Sequence, residues 1–258
     1  MRTTLIMNCK GGVGKTVTAI NMAAELAARG KRVVLVDADP QCNLTNYYLN
    51  GAEEGYNTLY EVLTGNHEPV WSDWMLDAAE NIQLVPGSMD LIMADVHALQ
   101  GREIKLTAIR ELAETLAEDD AADYMLIDSP PSFTAATTAG LAAADDVIIP
   151  MRLDAFSLSG VGELLRQISA MREVNERLRV AGVLITQYDG TTVAQNTVTA
   201  LRESAVPIFG ALIHRTTAVD RSTFERKPLR ELPGVYAQRA AEEYKQLVDE
   251  WLGGAANG

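Results

Sequence analysis

The stretch from residue 3 to residue 29 constrains this chain more than any other. An apolar run, TTLIMN (3–8), gives way to Lys10-Gly11-Gly12-Val13-Gly14-Lys15-Thr16, and residues 16–29 then carry Ile20, Ala23, Ala24 and Ala27 at helical spacing until Gly30. An ordinary strand-to-helix turn needs one or two glycines. Three glycines bracketed by lysines describe a loop whose backbone N–H groups face anionic oxygens, at the positive end of a helix. Neither Asn8 nor Cys9 supplies the glycine that usually opens such a phosphate loop. In a loop of this kind Lys15 bridges the β- and γ-phosphates and the Thr16 hydroxyl holds Mg²⁺.

The alternation continues to the end of the chain. RVVLVDAD (32–39), NIQLVPG (81–87), YMLIDSPP (124–131), DVIIP (146–150), RVAGVLITQ (179–187) and 206–213 read as strands. Residues 102–118, 157–177, 191–203 and 235–251 read as helices, the first with Ile104, Ala108, Leu112 and Leu116 on one face. Residues 214–232 read as a polar loop rich in bases. Strands that are apolar throughout are buried on both faces. The expected fold is therefore α/β: one domain over 1–252, a mostly parallel twisted sheet with helices on both faces as in P-loop NTPases, and a frayed tail, GGAANG, at 253–258.

Ligands of such sheets bind at the carboxyl ends of the strands. Asp37 and Asp39 end one apolar strand, two residues apart and so on one face, and Asp128 ends another. Asp128 fits the carboxylate that holds Mg²⁺ through water, and Asp37 and Asp39 fit the same metal neighbourhood. Lys10, five residues before Lys15, places a second cation where charge develops on a departing phosphoryl group.

Composition narrows the function classes. A chain that is 47% hydrophobic is too apolar for disorder. No apolar run reaches the ~18 residues of a membrane span, and the N-terminus does not read as a secretory signal. Cys9 and Cys42 lack the spacing of a zinc site or disulfide framework and read as small, buried or partly buried thiols; the histidines are scattered. A cytoplasmic protein is expected. The net charge of −13 argues against a chain coated in nucleic acid, but residues 50–130 hold 17 acids against three bases, and the rest is near neutral. Within 213–230, Arg215, Arg221, Arg226, Lys227 and Arg230 outnumber Asp220 and Glu225 and are candidate contacts to a phosphate backbone.

CKGGVGKTVTAINMAAELAARGKRVVLVDADPQCNLT resembles the ParA/Soj partition ATPases, relatives of the MinD-type ATPases, and YMLIDSPPS, DAFSLSGVGELL, VAGVLITQYD and the final helix follow in family order. The resemblance implies a deviant Walker A motif in which Lys10 reaches across an ATP-bound homodimer to the other subunit's ATP. It implies nucleotide contacts from Gly11, Gly12, Val13, Gly14, Lys15, Thr16, Val17, Gln187, His214 and Thr216. Asp39 matches the carboxylate associated with the attacking water, Asp37 its neighbour near Mg²⁺, and Asp128 the Walker B carboxylate. It further implies non-specific DNA binding, nucleoid association and a ParB-type adaptor that stimulates hydrolysis. The chain departs from the family pattern at Val17 (usually Thr), Cys42 (usually Gly), His214 and Thr216 (usually Pro and Asn beside the base) and Ala218 (usually an Arg associated with DNA).

Three other readings stand beside this one. A MinD-like membrane ATPase needs a basic amphipathic C-terminal helix, whereas 235–251 carries Glu242, Glu243, Asp249 and Glu250 on its polar side. An iron–sulfur reductase needs more cysteine ligands than two, unless a dimer shares them. A ParA-like ATPase that positions a cargo other than DNA differs only in its partner.

Overall fold

Within each central strand successive side chains are apolar, and because they alternate sides they feed two separate cores. Leu5, Val34, Val36, Met125 and Ile127 enter one; Ile6, Val33, Leu35 and Leu126 enter the other. All of these are at most 2% exposed. Each such burial contributes roughly 1.5–3 kcal/mol against leaving the side chain in water, so neither face is stable without helices over it.

The computed structural model describes residues 1–50, 56–65, 74–154, 157–204 and 206–254. Its elements run β1 (Arg2–Ile6), α1 (Lys15–Ala28), β2 (Val33–Asp37), α2 (Asn43–Leu49), α3 (Leu59–Thr64), β3 (Leu76–Ala79), β4 (Ile82–Val85), α4 (Leu91–Leu99), α5 (Ala108–Glu118), β5 (Tyr124–Asp128), α6 (Ala135–Ala143), β6 (Asp146–Arg152), α7 (Ser157–Ala170), β7 (Arg179–Tyr188), α8 (Thr192–Arg202), β8 (Ile208–His214), α9 (Thr217–Glu225) and α10 (Val235–Leu252). The eight strands form one sheet in the order β3-β4-β2-β5-β1-β6-β7-β8. Every pairing is parallel except β3 with β4. Residues of α3, α4, α5 and α6 pack on the first core, and residues of α1, α2, α9 and α10 on the second. The expected α/β sheet, covered on both faces, is what the chain forms.

Several local expectations change. The helix read over 102–118 starts at Ala108; Ile104 packs on the core from the preceding segment. The polar loop of 214–232 contains α9 and a 3-10 turn, Leu229–Glu231. Thr216 caps α9, its hydroxyl accepting from the Ala218 N–H at 3.1 Å. Sequence reading missed α2, α3, α4, α6 and the edge strand β3. In α6, AATTAGLAA carries no periodic large residue, because the helix lies so close to the sheet that a Cβ on Gly140 would meet Leu5 Cδ1 at 3.0 Å. Of the tail, residues 255–258 lie outside the described residues.

The register places the site. Asp37 is the cross-strand partner of Asp128, and Ile6, where β1 gives way to the phosphate loop, is the partner of Asp128 on its other side. At the opposite end of β6, Asp146 is fully buried and accepts from Arg2, from Arg179 Nε at 2.6 Å and from Trp251 Nε1 at 3.4 Å. The Arg2 guanidinium also lies 4.3 Å over the Trp251 ring, so this carboxylate ties α10 to the sheet. Asp146→Ala should cost roughly 3 kcal/mol, the lower end for breaking a buried pair, because both arginines are partly solvated. Urea unfolding measures it, and a loss below about 1 kcal/mol would contradict this role.

Candidate functional site

The phosphate loop is held by its carbonyls. The Gly12 oxygen accepts from Gln187 Nε2 at 2.7 Å and the Val13 oxygen from Thr186 Oγ1 at 2.9 Å. Asn8 pins the loop's start: its amide donates to the Pro150 carbonyl at 2.7 Å, and its Oδ1 accepts from the Lys10 N–H at 2.9 Å. Gly12 and Gly14 have φ of 70° and 89°, the left-handed region that favours glycine. None of the N–H groups from Gly11 to Val17 donates to another group of the described residues. A run of unspent amides at a helix N-terminus is a cradle for phosphate. No atom lies within 4 Å of where a Cβ would stand on Gly11 or Gly12, so a ligand can approach the backbone there.

Lys15 is 7% exposed and donates to the Lys10 carbonyl at 3.2 Å. Burial lowers its pKa, opposed by Asp128, Asp39 and Cys9. Lys10 is paired instead with Asp154, just beyond β6. The structure thus separates the two lysines: one stands in the cradle, and the other is turned to a carboxylate of its own chain.

Asp37 and Asp128 are fully buried and Asp39 is 7% exposed. Asp37 Oδ2 accepts from the Thr45 N–H at 2.8 Å and the Thr45 hydroxyl at 2.7 Å, and its Oδ1 from the Asp39 N–H at 3.2 Å. The Thr45 hydroxyl in turn accepts from the Gly87 N–H at 2.9 Å. A Cβ on Gly87 would stand 2.8 Å from the Asp37 carbonyl oxygen. Asp37 therefore acts first as a scaffold that fixes α2 and the end of β4. Burial pushes its pKa up to about 6 against the Thr45 hydrogen bonds. Asp128 differs: neither of its oxygens has a hydrogen-bond partner. Burial and the charge of Asp37 push its pKa well above the carboxylate range, opposed by Thr16 and Lys15. A divalent cation between Thr16 and Asp128 would satisfy that carboxylate. Among the described residues no three His, Cys, Asp or Glu side chains form a metal cage. A hydroxyl and a carboxylate, as Thr16 and Asp128 offer, are the donors a hard cation takes when phosphate and water complete its shell.

Two cavities flank the loop and meet at Gly14 and Val17. One, of about 600 Å³, is lined by Gly11, Gly12, Lys15, Thr16, Asp39 and α2. The other, of about 560 Å³, is lined by Thr186, Gln187, His214, Arg215, Thr216 and Tyr236 among others. Gln187, His214 and Thr216, distant in sequence from the loop, thus face one site with it. Of the loop residues, Val13 is fully buried and offers only its backbone. Cys42 caps α2 at φ 53° and is half-buried, its thiol pushed up to about 12 by burial and by Asp37 and Asp39. Cys9, expected to be at least partly buried, is exposed.

The candidate DNA contacts do not form one open patch. Arg221 pairs with Glu225 at 2.6 Å, Arg226 with the Asn50 amide oxygen, and Arg230 with the Ala24 carbonyl at 3.0 Å and Glu25 at 3.2 Å. Arg226 also lines the phosphate-side cavity. Arg215 and Lys227 are exposed. Sequence reading missed Thr45, Gly87, Thr186, Asp154 and Glu243; the first four lie inside quoted blocks of sequence, but nothing in those blocks assigns them a role, and Glu243 lies on the polar side of the last helix.

Asp128→Asn removes a charge that burial and Asp37 both disfavour. With its folded pKa raised, Asp128 contributes stability in the protonated state below the ordinary carboxylate range and loses it as pH rises. The ligand-free variant should therefore melt above the parent at pH 8, and the gain should vanish near pH 4. A variant melting below the parent at pH 8 would contradict the account.

Residues 1–180 match the AAA domain family AAA_31. The chromosome-partitioning ATPase Soj of Thermus thermophilus is 38% identical over 258 residues, covering 97% of this chain and 98% of that protein. The chromosome partitioning protein ParA of Caulobacter vibrioides is 42% identical over 197 residues, covering 73% of this chain and 70% of that protein. Among solved structures, cobyrinic acid a,c-diamide synthase of Mycobacterium smegmatis with a bound ATP analogue and magnesium superposes with a TM-score of 0.77 at 31% identity, over 98% of this chain and 94% of that one. With Soj and ParA matching at these identities over most of their length, the chain belongs to the ParA/Soj family of P-loop ATPases.

Proposed function

We propose that this protein is a partition-type ATPase that binds ATP with Mg²⁺, closes into a homodimer around the nucleotide, and hydrolyses it to ADP and phosphate. The observation that carries this reading is the buried, unpartnered Asp128 carboxylate opposite Thr16, beside a loop of unspent amides and the desolvated Lys15. The similar proteins named above, two of them partition proteins and one solved with an ATP analogue and magnesium, support it.

In this mechanism the amides of Gly11 to Val17 and Lys15 hold the phosphates; Thr16 and Asp128 would hold Mg²⁺, which would supply compensation for phosphate charge. Asp39 fixes the residues after β2 through its bond to the Gln41 N–H at 2.9 Å and orients the attacking water with its other oxygen. Lys10 leaves Asp154 and reaches the partner's phosphates, where it stabilises charge on the leaving oxygen. Turnover is slow until dimer and adaptor complete this arrangement.

DNA is bound without sequence preference through Arg215 and Lys227, with Arg221, Arg226 and Arg230 mainly holding the α9 region together. The acidic α3, α4 and α5 lie over the opposite core, which keeps their charge away from that surface. A ParB-type adaptor stimulates hydrolysis and frees the dimer, so that a plasmid or chromosome region is positioned on the nucleoid. A non-DNA cargo reached through another adaptor would use the same switch. No helix of the described residues is long and apolar enough to cross a membrane, and the exposed side of α10 carries Glu242 and Asp249.

Lys10→Ala should abolish ATP-dependent dimerisation, read by light scattering, and cut hydrolysis by at least ~100-fold, while monomeric ATP binding stays near parental. A variant that still dimerises and hydrolyses would remove Lys10 from the mechanism. Asp39→Ala should bind ATP but turn over at least ~100-fold slower, accumulating a dimer; rapid turnover would exclude its role with water.

DNA retention should appear with ATP but not ADP, weaken from 50 to 200 mM salt, and be lost in Arg215→Glu/Lys227→Glu with dimerisation intact. Absence of retention in every nucleotide state would favour the non-DNA cargo.

A further inference from the structure

The cavity beside the loop holds an arrangement that phosphate chemistry does not use. His214 ends β8 and lines that cavity. Its Nδ1 lies 2.7 Å from Glu243 Oε1, and its backbone N–H donates to Glu243 Oε2 at 2.9 Å. Glu243 projects from α10 and its Oε1 also accepts from Arg239 Nε at 2.9 Å. Tyr188 packs edge-on to the imidazole, ring centroids 5.0 Å apart at 79°. The ring is therefore held in one orientation by groups from α10 and β7.

That orientation fixes the hydrogen-bonding sense of its free nitrogen. An ionised carboxylate only accepts, so Nδ1 carries a hydrogen. A neutral ring protonated at Nδ1 leaves a lone pair on Nε2, on the side away from Glu243. Gln187, which lines the same cavity, donates its amide N–H to the Gly12 carbonyl, which leaves its carbonyl oxygen as an acceptor too. Both groups suit a base edge that donates.

We propose that His214, positioned by Glu243, selects the base of the bound nucleotide: Nε2 accepts a hydrogen from an exocyclic amino group, so the site takes a 6-aminopurine over a 6-oxopurine. This rests on the reading that the cavity receives the base of a nucleoside triphosphate. A 6-oxo group would set its lone pairs against that of Nε2, leaving two acceptors unsatisfied where a hydrogen bond is due. Glu243 is a positioning residue that acts through the ring's tautomer. In Glu243→Gln the single amide oxygen can serve the His214 backbone N–H while the NH₂ donates to Nδ1. This moves the ring hydrogen to Nε2 and reverses its preference.

The test is calorimetric titration of the full chain with Mg–ATP and Mg–ITP, which differ at the 6-position and the adjoining N1 proton. It reads binding, not turnover. The parent should bind ATP at least ~10-fold tighter than ITP. His214→Ala should bring the two within ~3-fold, both retaining the contribution of the phosphate loop. Glu243→Gln should shift the ratio towards ITP, whereas a merely structural role would weaken both nucleotides alike. An ATP:ITP ratio unchanged in His214→Ala overturns the proposal alone. Binding of neither nucleotide by the parent overturns the nucleotide reading and the proposal with it.

Discussion

Carboxylates stand at the ends of two neighbouring parallel strands, fully buried from solvent, and the rest of the site is organised around the cost of that. Asp37 and Asp128 are register partners, both fully buried; burial raises the pKa of each, and the charge of Asp37 raises that of Asp128 further. Lys15 is the cation set against them, and burial lowers its own pKa. Such a cluster is under-compensated by itself, since buried charge is tolerated only when paired and hydrogen-bonded. Asp37 is relieved by Thr45. Asp128 is relieved only in part, by Thr16 and Lys15, and keeps a strongly raised pKa, so a cation from outside the chain would stabilise it. That explains why a cradle for phosphate and a place for a divalent cation sit together.

The surroundings keep this cluster in place without consuming it. Asn8, Thr186 and Gln187 hold the loop by its carbonyls or its first amide, so the N–H groups nearest the ligand stay unspent. Gly87 permits β4 to end against the Asp37 backbone, and Thr45 ties α2 to the same carboxylate. A change at Asp37 is thereby felt in α2, whose far end meets Arg226 through Asn50. Lys10 is outside this set. Its ion pair with Asp154 gives the lone chain a stable place for a cation whose proposed partner is on another subunit.

The parts legible in the sequence were those built from local pattern. Continuous apolar strands gave the doubly covered sheet, and Lys10 to Thr16 gave the cradle. Asp128 was identifiable because a carboxylate closing an apolar strand is a local signal. What stayed hidden depends on strand register or on helices without periodicity. Nothing near Asp37 says that Asp128, 91 positions away, is its neighbour across the sheet. α6 is unreadable because small residues are required where it touches the sheet. The basic stretch looked like a uniform patch because sequence does not reveal that Arg221, Arg226 and Arg230 are already engaged. The net charge of −13 likewise describes the acidic segments more than the working surface.

The central claim is that buried, proton-retaining carboxylates wait for a cation. Calorimetry of Mg–ATP binding at pH 6, in buffers of differing ionisation enthalpy, tests it most directly by counting protons exchanged. Asp37, with a pKa pushed to about 6, is partly protonated there, and burial and Asp37 hold Asp128 well above its usual range, so binding should release protons, as metal binding to protonated ligands does. Heats that do not vary with buffer, or that report proton uptake, would contradict the account.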